Sequence, residues 1–109
     1  MRLRELEPEW LRFEGTPNHY RYDVDRAEAN GIMFLCPLCF AKNGGPVGTH
    51  RVLCWDPSVP QTMSPTPGRW NLVGESFDDL SLVAGSSSVK LEKGCQWHGY
   101  ITNGEVTNA

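Results

Sequence analysis

Two short-spaced pairs of metal-type ligands constrain this chain more than any other feature. Cys36-Pro37-Leu38-Cys39 is a Cys-x-x-Cys pair, and Cys95-Gln96-Trp97-His98 is a Cys-x-x-His pair. Two intervening residues let a tight turn aim both side chains at one ion. Two such turns supply the four soft or borderline ligands of a tetrahedral Zn²⁺ site. Gly94 and Gly99 flank the second pair and give its turn access to positive φ. The expected ligands are therefore Cys36, Cys39, Cys95 and His98, holding a structural zinc. Fifty-five residues lie between Cys39 and Cys95, far more than in a minimal finger. The expected arrangement is a clip that joins distant parts of one domain, where metal binding contributes directly to folding.

Other cysteines and histidines compete for these roles. Cys54, in His50-Arg51-Val52-Leu53-Cys54-Trp55, reads as a buried thiol in a strand. His50 reads as a hydrogen-bonded structural residue, and either one could stand in for His98. A redox role for the Cys36/Cys39 pair lacks the βαβ context that such dithiols use.

The hydropathy pattern is that of a mainly β protein, a small sheet or sandwich-like domain with two zinc knuckles and one short helix near the amino terminus. Residues 31–35 are apolar and lead into Cys36, as a buried strand would. Residues 49–55, 69–74, 80–82 and 89–91 read as further strands, and residues 19–24 as another. Residues 100–107 form the clearest local signal: two alternating runs around Asn103-Gly104, a pair suited to a type I′ hairpin turn. Asn43-Gly44-Gly45-Pro46 marks a turn, as does Thr16-Pro17-Asn18. Residues 56–68 hold four prolines and read as an exposed loop. Leu3, Leu6, Trp10 and Phe13 share helical spacing, but Pro8 interrupts it. The chain divides into an N-terminal packing arm, residues 1–30, and a zinc-binding β-domain, residues 31–109, within one structural domain.

With 109 residues and 39% apolar content, the core is modest and a metal staple would help it. The formal net charge of −3 comes from interspersed acids and bases. No basic stripe offers the counterion release on which nucleic-acid binding depends, so a protein is the expected partner. No stretch approaches the length needed to span a bilayer. The first residues lack the apolar core of a signal peptide, so the cytoplasm is the expected compartment. There, paired cysteines more often bind metal than form disulfides.

Four protein ligands would close the metal site, whereas a catalytic zinc keeps one position open. No metalloprotease or zinc-deaminase motif is present. The sequence thus favours a non-catalytic, zinc-stabilised interaction module. The alternatives are a zinc-dependent hydrolase, with His50 or Asp56 beside an open metal position, and a nucleic-acid-binding zinc ribbon.

Several segments carry a resemblance. They are residues 31–40 through Cys36-Pro37-Leu38-Cys39-Phe40, Gly45-Pro46-Val47-Gly48-Thr49-His50, Pro67-Gly68-Arg69-Trp70, Asp79-Leu80-Ser81-Leu82 and residues 94–106 from Gly94-Cys95-Gln96-Trp97-His98-Gly99 onward. Together they resemble a family of small Cys-x-x-Cys/Cys-x-x-His proteins of bacteriophage, prophage and bacterial genomes, some of which bear the label ammonia monooxygenase. The resemblance spans roughly residues 31 to 106. It implies a phage or prophage origin, action in the host cytoplasm, and the Cys/His set as a shared feature, with no activity attached. His50 also falls in a family-like position. Other members carry a Pro-Ser pair where this chain has Ser86-Ser87-Ser88-Val89.

Overall fold

A computed structural model describes residues 1–16, 19–92 and 94–109. The turn expected at Thr16-Pro17-Asn18 falls largely outside them. The described residues form a mainly β protein with three small antiparallel sheets.

The apolar run of residues 31–35 forms strand β3 (Gly31–Leu35), buried at every position. Alternation along it sends side chains to opposite faces, and both faces are covered. Ile32 and Phe34 enter a large core with Leu3, Leu6, Leu80, Leu82, Trp97 and Ile101. Met33 enters a second cluster with Leu11, Phe13, Trp55, Val59 and Met63. Strand β4 (Arg51–Trp55) obeys the same parity. Val52 and Cys54 face the large core, and Trp55 faces the second cluster.

Strands β1 (Glu9–Phe13) and β2 (Tyr20–Tyr22) complete a four-stranded sheet in the order β2-β1-β3-β4. Residues 1–30 therefore cover the large core through Leu3 and Leu6 and also supply two strands. Their helical spacing is realised only as a single 3₁₀ turn, Leu3–Leu6. After Pro8 the chain becomes extended, because an interior proline removes a helical hydrogen bond. A second 3₁₀ turn, Arg26–Glu28, returns the chain toward β3. Asn30 fastens this return. Its Oδ1 accepts from the Phe13 amide at 2.8 Å, and its Nδ2 donates to the Phe13 carbonyl at 3.1 Å.

The remaining strands pack on the large-core face. Strands β5 (Asn71–Val73) and β6 (Ser81–Val83) form a two-stranded sheet. Strands β7 (Val89–Lys90), β8 (His98–Thr102) and β9 (Glu105–Asn108) form a three-stranded one. The β8–β9 turn is the expected Asn103-Gly104, with φ of 48° and 75°, the positive-φ pair that a type I′ turn requires. The Gly104 amide also donates to the Leu80 carbonyl at 2.8 Å, which ties this hairpin to β6.

The proline-rich segment of residues 56–68 is a mostly exposed loop, as its composition implies, but two of its residues anchor it. Val59 and Met63 are buried against Trp55. The Arg69 guanidinium donates to the carbonyls of Val59, Pro60, Met63, Pro65 and Gly68. The loop is thus a lid on the second cluster, organised around one cation. Elsewhere Arg26 lies over the Trp10 ring at 5.2 Å, and Trp10 stacks on Phe77 with centroids 4.3 Å apart. Arg26 also donates to the Gly74 and Leu72 carbonyls, which stitches β5 to the larger sheet.

Candidate metal centre

The first ligand pair sits where β3 ends. Cys36 is buried and serves as the N-cap of helix α1 (Pro37–Asn43), with Pro37 as its first residue, a position where the missing N–H costs nothing. The expected knuckle turn is therefore prolonged into a seven-residue helix. Gly44 ends it in the left-handed region at φ 68°, donating its amide to the Phe40 carbonyl. Cys39 lies in the first turn of α1 and points back toward Cys36.

Register brings in the next residue. The Cys36 amide donates to the His50 carbonyl at 2.8 Å, extending the β3–β4 ladder by one pair. Residues directly opposite in such a pair project to the same sheet face, so the His50 and Cys36 side chains stand together. Cys95 arrives from the opposing sheet, in the turn between β7 and β8. Gly94 (φ 67°) and Gln96 (φ 57°) provide that turn's positive φ.

The four ligand atoms of Cys36, Cys39, His50 and Cys95 all lie within 4.8 Å of one another. Cys36 Sγ is 3.4 Å from Cys95 Sγ, and His50 Nε2 is 3.3 Å from the same sulfur. All four cysteines of the chain are free thiols.

The cluster's histidine is thus His50, where the spacing of residues 95–98 pointed to His98. Strand parity explains this correction. The Trp97 indole is 2% exposed, packs edge-on against Phe34 and donates to Asn108 Oδ1 at 2.9 Å. With Trp97 inward, the next residue of the extended chain must point outward. His98 accordingly opens β8 on the exposed face, opposite Lys90 and near Tyr100. Gly99 serves a different purpose from the one its position suggested. It does not take positive φ; a Cβ there would collide with the Thr107 carbonyl and the Trp97 ring. Cys54 is fully buried away from the cluster, and burial pushes its thiol pKa up.

The electrostatics divide the three sulfurs. Burial pushes the Cys36 thiol up to about 12. The Cys39 and Leu38 amides oppose that rise, although no side-chain capping hydrogen bond forms. Cys39 is also raised, by burial and then by its hydrogen bond to Cys95. Burial acts upward on Cys95 too. Hydrogen bonds from His50, from the Trp97 backbone and from the Cys36 and Cys39 thiols outweigh it and hold Cys95 down to about 6. Without a cation the cluster therefore gathers its donors around a single thiolate. A divalent cation would stabilise all three thiolates together.

A tetrahedral zinc with Zn–S bonds of about 2.3 Å sets its sulfurs about 3.8 Å apart. The observed separations of 3.3–3.4 Å, and the 4.8 Å bound on the rest, lie close to that polyhedron. The donor set and its dimensions fit a metal ion. No family model matches this chain, and neither a curated protein nor a solved structure shows significant similarity to it.

Proposed function

We propose that this chain is a non-catalytic, zinc-stabilised interaction module, encoded by a phage or prophage and acting in the host cytoplasm. The observation that carries the metal reading is the convergence of Cys36, Cys39, His50 and Cys95 within 4.8 Å. Three thiolates and one imidazole suit zinc better than the oxygen-loving cations. Four protein ligands leave no open coordination position, which is the arrangement of structural sites. The site lies between the end of the β3–β4 ladder and the β7–β8 turn, so a bound ion would hold the two larger sheets together.

Two observations weigh against the hydrolase alternative, which places His50 or Asp56 beside an open metal position. His50 lies within the Cys/His cluster, where it suits a ligand's role better than a catalytic one. Asp56 lies beyond the far end of β4, six residues or about 20 Å along an extended chain, and its carboxylate accepts from the Ser58 amide and hydroxyl. The phage origin rests on the sequence resemblance, and the preference for a protein partner on the balanced charge.

Elemental analysis of untagged protein tests the metal reading. The expected result is about one zinc per chain, with Cys36→Ser and Cys95→Ser lowering both metal content and thermal stability. Full zinc occupancy in both variants would overturn the assignment. A gel-shift series at low salt tests the partner class, and retention of nucleic acid there would favour the ribbon alternative.

A further inference from the structure

Two strand edges face each other across a groove beside the metal cluster. Strand β4 is the last of its sheet, and β7 is the first of its own. Hydrogen-bond parity shows which main-chain groups point into the space between them. Cys36 N–H donates to His50, and Asp56 N–H donates to Asn30, so alternate residues of the ladder, Val52 and Cys54, bond to β3. The amides and carbonyls of Arg51 and Leu53 must then point outward. On the other side Leu91 N–H donates to Trp97, so Lys90, the intervening residue, also turns its main chain outward. Among the described residues, no main-chain hydrogen bond reaches Arg51, Leu53 or Lys90 from that side.

The two edges border one cavity of about 200 Å³, which adjoins another of about 500 Å³ that opens toward His50. Trp70 closes the far end. Its amide donates to the Trp55 carbonyl on β4, and its indole donates to the Ser88 carbonyl beside β7. One residue therefore bridges the two edges there. Pro65, Thr66 and Pro67 wall the groove. Arg51 on its rim is paired with Glu7, Lys90 has no ion pair among the described residues, and the exposed Glu92 carboxylate lines both cavities two residues further on.

We propose that this groove binds an extended peptide carrying an acidic side chain, which adds as a strand between β4 and β7. Outward N–H and C=O groups on two facing edges are complementary to one ligand chemistry, an extended main chain. The Lys90 ammonium, which has no ion pair among the described residues, selects an acidic residue at its own position, and the Glu92 carboxylate disfavours a second one beside it. A second copy of this folded chain is a poorer fit, because its edge would bring neighbouring strands against the Pro65–Pro67 wall. The proposal rests on the reading of this protein as an interaction module. It also ties the metal to that role, since the cluster and Trp70 would fix the groove at its two ends.

The test uses isotope-labelled protein of measured zinc content. The probe is an acetylated, amidated nonapeptide of alternating threonine and valine with a central aspartate. Binding should shift the Arg51, Leu53 and Lys90 amides and slow their hydrogen exchange. N-methylation of alternate peptide nitrogens should weaken binding by about tenfold or more, and Lys90→Glu, a surface change that leaves zinc content intact, by about tenfold. Absence of shifts at millimolar peptide, or equal binding of the N-methylated peptide, would overturn the proposal. So would concentration-dependent protection of the same amides without peptide, which would identify the occupant as a second copy. A protein that binds the peptide but no zinc contradicts the metal reading alone. One that holds zinc and ignores the peptide contradicts this inference alone.

Discussion

His50 and His98 separate what spacing can reveal from what pairing decides. Both are exposed histidines on or beside a strand, and His98 has the spacing of a zinc knuckle. Only His50 stands opposite Cys36 in the ladder. His50→Ala should therefore lower zinc affinity by more than the roughly 10–100-fold typical of an outer-shell partner, while His98→Ala should leave it unchanged. Competition with a chromophoric chelator would measure both, and the reverse order would contradict the assignment. A second prediction concerns Asn30, a buried polar residue. Asn30→Ala would orphan the amide and carbonyl of Phe13 and should cost about 1–3 kcal/mol in urea unfolding. An effect below a few tenths of a kcal/mol would show that water replaces the amide. The three cysteines of the cluster were legible from spacing alone. The histidine was not, because its place depends on the register between two strands and on the inward turn of Trp97, both long-range facts.

The strands were readable where alternation or a continuous apolar run reports burial, as in β3, β4 and the β8–β9 hairpin. Helix α1 was not, since its seven residues overlap the ligand pair and carry too little periodicity to mark a helix. The proline-rich segment is the mostly exposed loop that its composition implies, but its two buried anchors were not legible. Composition registered its prolines, but its anchoring depends on Val59 and Met63 packing under a guanidinium. Arg69→Ala removes five donors from the loop carbonyls and should destabilise the protein by about 2–3 kcal/mol. It should also speed proteolytic cleavage within residues 56–68. Arg69→Lys should rescue little, because an ammonium offers three donors and no planar fork. Wild-type protease resistance in Arg69→Ala would show that the apolar contacts alone hold the loop.

Across the whole molecule, the cluster links positions 59 residues apart, Cys36 and Cys95. In the chain-entropy account a cross-link of that span constrains the unfolded chain by about 4 kcal/mol. Removing the metal should thus lower stability by several kcal/mol, read as a fall in the thermal midpoint on chelation. A smaller, pH-dependent contribution comes from an ion pair outside the cluster. Asp78 accepts from Arg4 at 2.8 and 3.1 Å, and Arg2 lies nearby. The Arg4 hydrogen bond holds the Asp78 carboxyl below its ordinary range. A depressed folded-state value stabilises above the unfolded carboxylate pKa, and that stabilisation is lost as pH falls through the folded one. Asp78→Asn should flatten the acid limb of the stability profile, and an unchanged limb would assign it elsewhere.

The central claim is that one zinc ion is held by three cysteines and His50. X-ray absorption at the zinc edge reads that ligand set directly. The account predicts three sulfurs at about 2.3 Å and one nitrogen at about 2.0–2.1 Å, with the nitrogen shell lost or replaced in His50→Ala and retained in His98→Ala. A four-sulfur shell, or a nitrogen that disappears only in His98→Ala, would contradict it.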